Sequence, residues 1–255
     1  LVNAYIHRKG GALIELDYLP SAWNYLDTMA RYKELYHADA EESYVSDSYS
    51  RRAFLDHFFS VKEKIGDFEK RKSRELGNFI RKNYHVEDVV KDQKVLELSS
   101  MGRVHVSGKP HPFKIQKRFK MQKNTVTVSY TLENINDQTY SISFAPEINL
   151  SLADKDSFDL YLSGPSTKEQ KLNNPFGENK ELSEAVIHDT QNKVGITISA
   201  DKKFNLWSLP VTTRTLHEGE MVETFQSLCL LPKWDLEMKP KTVWECSVSI
   251  RTERK

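Results

Sequence analysis

Residues 10–37 read GGALIELDYLPSAWNYLDTMARYKELYH, and this stretch is the most informative part of the chain. A glycine pair leads directly into a run that predicts a β-strand. Because side chains alternate between the two faces of a strand, Glu15 and Asp17 are placed on the same face. A carboxylate pair of this kind is a candidate for acid–base chemistry.

Two carboxyl groups on one strand invite comparison with glycoside hydrolysis. Retaining enzymes hold their two carboxyl groups about 5–5.5 Å apart, and inverting enzymes about 6.5–9.5 Å apart. Residues two apart on a strand have Cβ atoms roughly 6.5–7 Å apart. Glu15 and Asp17 nevertheless point the same way, whereas an acid and a base must flank the sugar bond. We therefore predict that both are solvated or hydrogen-bonded residues at a sheet surface or a domain interface.

From about residue 93 onward, short runs of alternating apolar and polar residues are separated by polar turns. In the run at 125–132, TVTVSYTL, the apolar residues fall on one face and the threonines and serine on the other. The same alternation occurs at residues 139–152, 193–199 and 243–250. This pattern is typical of antiparallel sheets and predicts an all-β fold, a large antiparallel sandwich in a single domain, residues 1–255.

Residues 45–83 interrupt the strand pattern and predict a helical and charged insert. RRAFLDHFF, at 51–59, has apolar residues at helical spacing and predicts a short helix. The run that follows carries many charges of both signs. It is either a basic patch for an anionic partner or a solvated face, and the interleaved acidic residues favour the solvated face. Helix is thus expected as a minor part of the fold, before residue 90.

Composition narrows the classes of function. Lys and Arg number 37 against 36 Asp and Glu, a formal charge of +1, so no nucleic-acid partner is expected. A mean hydropathy of −0.60 without a long apolar run predicts no transmembrane helix and no membrane partner. Eight histidines lack metal-binding spacing, so we predict no metal site and no cofactor. Two cysteines in separate predicted strands favour free thiols and a cytoplasmic protein. The oligomeric state stays open, with a homodimer as one alternative.

The opening stretch resembles the start of the C-terminal β-domain of glycoside hydrolase family 57 proteins, the α-amylase and 4-α-glucanotransferase group. Further runs at 51–58, 144–152 and 207–234 resemble other family positions, among them Glu218 and Gly219. The charged insert at about 60–80 does not align with the family pattern. The opening positions that carry the resemblance are Gly10, Gly11, Glu15, Leu16, Asp17, Tyr18, Pro20, Asn24, Asp27, Thr28, Arg31, Tyr36 and His37.

This resemblance implies a β super-sandwich like that of galactose mutarotases, with a catalytic barrel N-terminal to the chain and absent from it. The chain would be a non-catalytic accessory domain of an α-glucan-acting hydrolase or glucanotransferase. Its partners would be its own catalytic domain and, weakly, an α-glucan or maltooligosaccharide. Contact with the catalytic domain is expected through Glu15, Asp17, Tyr18, Trp23 and Asn24. The alternative function is a free-standing aldose epimerase on the same fold.

Glu147 and Asn149 are candidate carbohydrate contacts. Their strand parity is opposite to that of Ile148 and Leu150, which predicts that they lie on an exposed, concave sheet face. A buried charge without a partner would cost several kcal/mol, which supports this exposure. In mutarotases a glutamate on such a face is the base, and the reaction also requires an acid, usually a histidine. The sequence assigns no histidine to Glu147, and an outward strand without a ligand is the other interpretation.

Three more residues are candidate carbohydrate contacts. Trp207 alternates away from its apolar neighbours and could offer a ring face to a sugar, although large aromatic residues more often fill cores. Glu223 and Gln226 have opposite parity on one strand. They can line the same sheet face only if a β-bulge separates them.

Overall fold

The computed structural model describes most of the chain, residues 1–32, 46–165, 167–217 and 220–255. Four of the family positions, and the start of the predicted insert, lie outside the described residues. Those four positions are Tyr36, His37, Glu218 and Gly219.

Antiparallel strands make up 65% of the chain and helix only 6%, which confirms the all-β prediction. No helix in the described ranges has the length and apolar character needed to cross a membrane. The strands among the described residues are β1 Val2–His7, β2 Ala12–Tyr18, β3 Trp23–Asn24, β4 Ala53–Phe59, β5 His85–Val90, β6 Val95–Val106, β7 Lys109–Gln122, β8 Thr125–Asn134, β9 Tyr140–Leu150, β10 Phe158–Gly164, β11 Thr167–Lys171, β12 Gly177–Asp189, β13 Val194–His217, β14 Glu220–Met238 and β15 Val243–Arg254.

The strands form one curled sheet in the order β1-β2-β4-β9-β14-β13-β15-β8-β7-β6-β5. The long strand β13 forms the corner. One edge of β13 pairs with β12. Along the other edge, residues 194–200 pair with β15 and residues 205–217 with β14. The sheet therefore divides at β13 into two layers, one containing β14, β9 and β4 and the other containing β15, β8 and β7.

The two layers pack face to face. Three strands separate β9 from β8 along the sheet, yet the rings of Phe144 and Tyr130 have centroids only 5.3 Å apart. Such a contact between strands that are not neighbours requires the sheet to fold onto itself, as in a sandwich. The predicted core residues are all buried in this interface: Val126, Val128, Ile142, Phe144, Ile196 and Val248. Both cysteines are buried free thiols, as expected.

The helix predicted at 51–59 is wrong, because Ala53–Phe59 form strand β4. Every residue of β4 is buried, so both of its faces carry large apolar side chains and the alternation of a half-exposed strand is lost. Helix does occur in the charged insert, as α1 Ile65–Glu69. The remaining helical turns of the described residues are 3-10 segments at Leu19–Ser21, Phe79–Arg81 and Lys91–Gln93.

The glycine pair of the opening stretch meets a buried lysine. Lys117 Nζ donates hydrogen bonds to the carbonyl oxygens of Gly10, Gly11 and Phe54, at 3.0, 2.9 and 2.6 Å, and lies 2.6 Å from Asp56 Oδ2. Both charged side chains are fully buried. Their ion pair joins β7 of one layer to β4 of the other, and so fixes how the layers face each other.

Glycine is needed at this position for two reasons. Gly10 and Gly11 have φ angles of +74° and +52°, which disfavour other residues. A Cβ atom on Gly11 would also lie 3.0 Å from the ring of Tyr84, whose hydroxyl donates to Asp56. The glycine pair, the lysine and the aspartate thus form one buried unit of the core.

We predict that Lys117→Met lowers the free energy of unfolding by about 3–5 kcal/mol, because it leaves the buried Asp56 carboxyl, whose pKa burial raises, without its cation in the core. Urea unfolding of the two purified proteins measures this difference. The matched control is Lys114→Met on the outward face of the same strand, which should change stability by less than about 0.5 kcal/mol. Equal stabilities for Lys117→Met and the wild type would contradict the role given to the pair.

Candidate functional site

The most highly charged buried cluster in the described part of the chain surrounds Glu147 on β9. Its carboxylate has no exposed surface. Oε1 accepts hydrogen bonds from Arg51 Nη1 at 3.2 Å and Asn149 Nδ2 at 2.7 Å. Oε2 accepts hydrogen bonds from the Tyr49 hydroxyl at 2.5 Å and from His57 Nε2 at 2.7 Å. Burial alone would raise the pKa of Glu147, but His57, Arg51 and Tyr49 hold it well below its ordinary value.

His57 reaches Glu147 through ordinary strand geometry. Leu55 of β4 is paired with Glu147, so His57, two residues further on, is its diagonal neighbour on the same face. The second ring nitrogen, Nδ1, lies 2.5 Å from Glu75 Oε2. Burial lowers the pKa of His57, but the charge of Glu75 and the hydrogen bonds with Glu147 and Glu75 outweigh it and raise the pKa to about 9. The imidazolium form therefore donates to two carboxylates at neutral pH.

A second ion-pair chain continues from Arg51. Its Nη2 lies 2.8 Å from Asp47 Oδ1, and the same oxygen is 3.0 Å from Arg31 Nη2. Burial raises the pKa of Asp47, but hydrogen bonds and charge from Arg31 and Arg51 lower it overall. Arg71 adds a further cation, with Nη1 donating to the Tyr49 hydroxyl at 3.1 Å. The cluster thus alternates cations and anions through a buried network.

The charged insert covers this sheet face. Phe68 of α1 packs on Phe59 and Trp207, with ring centroids 5.8 and 6.2 Å apart, and meets the His57 ring edge-on at 5.7 Å. Glu75, further along the insert, accepts the backbone N–H of Phe58 at 2.9 Å. A second apolar cluster therefore lies between the sheet and the insert, on the side opposite the main core.

A cavity of about 630 Å³ remains beside the insert, and we refer to it as the roofed cavity. Aromatic rings and polar groups share its wall, a mixture suited to small molecules. The Ser73 hydroxyl is buried there and has no hydrogen-bond partner among the described residues. The polar and charged residues that line it include Ser48, Tyr49, His57, Arg71, Ser73 and Glu75.

The predicted exposure of Glu147, Asn149 and Trp207 is wrong, because each has 0% of its surface exposed. Strand parity placed all three correctly on the face away from the main core. The insert then covers that face, and the Trp207 ring stacks on Phe59 at 5.7 Å instead of facing solvent. The predicted exposure therefore fails for all three, and their contact with a carbohydrate stays a prediction.

The structure contains the β-bulge that Glu223 and Gln226 required. Val211 pairs with Ser227 whereas Thr212 pairs with Phe225, so Gln226 is the extra residue. Gln226 Nε2 donates to Thr213 Oγ1 at 3.1 Å, and Glu223 Oε1 accepts from Thr212 Oγ1 at 2.7 Å. Glu223 lines a different cavity from the roofed cavity. The two residues are therefore not part of the Glu147 cluster.

The five residues proposed for the domain interface have diverse surroundings. Tyr18 is 3% exposed and belongs to the core, so its assignment to an interface is wrong. Asn24 Oδ1 accepts the backbone N–H groups of Leu16 and Leu26, which shapes the turn after β2. Trp23 Nε1 donates to the Ser151 carbonyl at 3.0 Å.

Glu15 and Asp17 share one face of β2, as predicted. Partial burial, the hydrogen bond with Asp17 and the Asp17 charge raise the pKa of Glu15. Asp17 Oδ2 also accepts from Asn3 Nδ2 at 2.9 Å on β1. Both carboxylates are thus hydrogen-bonded residues of a sheet surface, which was the expected alternative to catalysis. Their contact with another domain stays a prediction.

Sequence reasoning missed the partners of Glu147. Arg51 and His57 lie within the predicted helix at 51–59, so the strand alternation of His57 was not considered, and Tyr49 lies before that helix and outside the strands described. The signal that could have found His57 was its odd position between Leu55 and Phe59, which groups it with one face of a fully buried strand. No local pattern indicates that Glu75, from the insert, approaches the same histidine.

Two solved structures share the fold of this chain. Among solved structures, a galactose mutarotase-like protein from Lactobacillus casei covers 99% of this chain and 97% of its own, with a TM-score of 0.63 and 12% identity. The 4-α-glucanotransferase of Thermococcus litoralis covers 98% of this chain but 36% of its own, with a TM-score of 0.79 and 21% identity. Both likenesses establish the super-sandwich fold.

The family is shown by sequence. The chain belongs to the alpha-amylase/4-alpha-glucanotransferase C-terminal domain family, whose model matches residues 2–46 and 38–248. The α-amylase of Pyrococcus horikoshii is 26% identical over 82% of this chain and 29% of its own length. The 4-α-glucanotransferase of Thermococcus litoralis is 24% identical over 82% of this chain and 32% of its own. The chain thus spans about a third of the length of the curated relatives it matches.

The raised pKa of His57 predicts how stability depends on pH. Below its unfolded pKa of 6.5, His57 is protonated in both states and its stabilising contribution is fully present. As pH rises through the folded value of about 9, that contribution is lost, and the difference corresponds to about 3 kcal/mol. We therefore expect the free energy of unfolding to fall between about pH 6.5 and about pH 9.5.

Urea unfolding across this pH range, compared between the wild type and His57→Gln, isolates the contribution of His57. The variant should be less stable at neutral pH and should lose the decline toward alkaline pH. Exposed His105 supplies the matched control, because it forms no ion pair with a described carboxylate. His105→Gln should keep the wild-type dependence. A decline that persists in His57→Gln would show that another group causes it.

Proposed function

We propose that this chain is the non-catalytic β-sandwich domain of a longer α-amylase or 4-α-glucanotransferase. It supports the catalytic part of that enzyme and binds α-glucan weakly in the roofed cavity. The observation that carries the non-catalytic role is that the Glu147 carboxylate already accepts hydrogen bonds at every lone pair. Both of its oxygens accept two hydrogen bonds, and no surface of it is exposed. A general base must have a lone pair within reach of the proton it removes.

The second carboxylate of the site, that of Glu75, also has its hydrogen-bonding capacity in use. Glu75 Oε1 accepts the backbone N–H groups of Phe58 and Gly77, at 2.9 and 2.8 Å, and Oε2 is bound to His57. Both imidazole nitrogens of His57 are likewise directed at carboxylates. This arrangement stabilises the fold and leaves no group of the cluster ready to exchange a proton with a sugar.

One observation favours the alternative function. An aldose epimerase needs a glutamate base together with an acid, and His57 Nε2 lies 2.7 Å from Glu147 Oε2. The two groups contact each other, however, and the Glu147 carboxylate has no exposed surface. Polarimetry of fresh α-glucose distinguishes the two functions. We expect the purified chain to leave mutarotation at its spontaneous rate, and acceleration that is lost in Glu147→Gln would establish the epimerase.

The same reasoning predicts no glucan cleavage or transfer by this chain alone. Incubation with maltoheptaose should give neither shorter nor longer maltooligosaccharides by chromatography, because Glu15 and Asp17 point the same way and cannot flank a sugar bond. New oligosaccharides that disappear on Glu15→Gln would contradict this prediction.

Weak glucan binding is supported by the roofed cavity, where the Ser73 hydroxyl has no hydrogen-bond partner in the described part of the chain and a sugar hydroxyl could supply one. Maltoheptaose should bind with a roughly millimolar dissociation constant, about −4 kcal/mol. Ser73→Ala should weaken binding roughly three- to tenfold, the value of one hydrogen bond, without lowering thermal stability. NMR titration measures both affinities.

Ser227 provides the matched control. Its hydroxyl is also buried without a partner in the described ranges, but Ser227 does not line the roofed cavity. Ser227→Ala should therefore bind maltoheptaose as tightly as the wild type. No chemical-shift change in the wild type at tens of millimolar ligand would reject the glucan site.

A further inference from the structure

Acidic and basic residues are mixed along the sequence, but in the fold basic residues are concentrated around two neighbouring cavities. A second cavity, of about 390 Å³, adjoins the roofed cavity and shares Ser48, Tyr49, Ile80 and Arg81 with it. Among the residues that line the two cavities, one is a carboxylate, Glu75. Five are lysines or arginines: Lys9, Arg52, Lys70, Arg71 and Arg81. This excess occurs in a chain with 37 basic and 36 acidic residues, so it is a local feature.

Most of these cations are not neutralised within the described residues. Lys9, Arg52, Lys70 and Arg81 form no ion pair with a described carboxylate. Elsewhere on the surface, basic side chains do find such partners, for example Lys171 with Asp159 at 2.8 Å and Arg118 with Glu97 at 3.0 Å. Among the described residues, the walls of the joined cavities therefore carry more positive than negative charge.

The single carboxylate does not cancel this charge. Glu75 is already bound to the His57 imidazolium and to two backbone N–H groups. Its negative charge is thus directed into the sheet and away from the lysines and arginines of the cavity wall.

Two of the arginines are held in place before any ligand arrives. The Arg71 guanidinium lies 4.7 Å from the Tyr49 ring centroid, and its Nη1 donates to the Tyr49 hydroxyl. Arg81 Nη2 donates to the Ser48 carbonyl at 2.7 Å and keeps its other N–H groups without a described partner. Ordered guanidinium groups with spare donors are suited to phosphate, which they can bind bidentately.

We propose that the joined cavities bind a sugar that carries a phosphate group, with the sugar ring in the roofed cavity and the phosphate beside Arg81, which lines both cavities. This rests on the proposed glucan contact and specifies its ligand. The cavity volumes fit a small molecule. A nucleic acid or a membrane would need an extended basic surface, whereas these cations line concave walls.

Calorimetric titration of the purified chain with glucose 6-phosphate, glucose and inorganic phosphate tests the proposal. Glucose 6-phosphate should bind at least about tenfold more tightly than glucose, because its phosphate adds charge-assisted hydrogen bonds. The affinity should fall as ionic strength rises. The double variant Lys70→Gln/Arg81→Gln should lose the preference for the phosphorylated sugar, since both side chains are exposed and their loss should not unfold the chain.

Arg118→Gln is the matched control. It removes one positive charge on β7, lines neither cavity, and should leave all three affinities unchanged. A circular dichroism spectrum of each variant confirms that the strands are intact. Loss of the preference in Arg118→Gln would overturn the assignment to the cavities, because the effect would then follow net charge alone.

The titrations also separate this inference from the proposed function. Maltoheptaose binding without any preference for glucose 6-phosphate over glucose would overturn the phosphate site and leave the glucan site standing. Binding of neither sugar would reject both. Inorganic phosphate that binds as tightly as glucose 6-phosphate, and is lost in the double variant, would confirm the anion site and overturn its sugar component.

Discussion

Glu147 is a carboxylate in a strand that is buried on both faces, and the surrounding structure follows from the need to satisfy it. An isolated charge in such a place is strongly destabilising, so every lone pair must be matched by a donor. The donors come from Arg51, His57, Tyr49 and Asn149, which ties β4 and the segment before it to β9. His57 then requires its own anion, and Glu75 of the insert supplies it. The insert that covers the sheet thus contributes the last charge of the series, because Glu75 compensates the imidazolium that His57 presents to Glu147.

This series of ion pairs explains how an insert that carries many charges of both signs is held against the sheet. Its apolar side chain Phe68 packs over His57, Phe59 and Trp207, while Glu75 neutralises the imidazolium. Packing and ion pairing therefore act on the same segment. Buried ion pairs contribute little net stability when compared with apolar replacements, but removal of one partner is expensive. The network consequently specifies one arrangement of the insert more than it adds to overall stability.

Sequence reasoning succeeded where one face of a strand is apolar and failed where both faces are covered. The alternation at Val126 and Ile142 identified core strands and their inward faces, because the opposite faces there remain polar. β4 gave no such alternation, since His57 and Asp56 are buried on opposite faces by long-range partners, Glu147 and Lys117. The parity of Trp207 was correct, but its exposure depended on whether a distant segment folds over it. Parity is a local property of a strand, whereas burial of its second face is decided by tertiary contacts.

The same super-sandwich serves chains that are almost entirely this fold and chains in which it is about a third of the length. Fold alone therefore does not assign a role, and the side chains on the concave face must do so. Here the histidine and both carboxylates satisfy one another, so the groups that proton transfer would need are used to hold the insert in place. The unbalanced cations, in contrast, lie along the cavity walls, where they contribute nothing to that network. Charges that are neither paired nor structural are the ones available to a ligand, and this is why the cavities, and not the Glu147 cluster, are the place to look for binding.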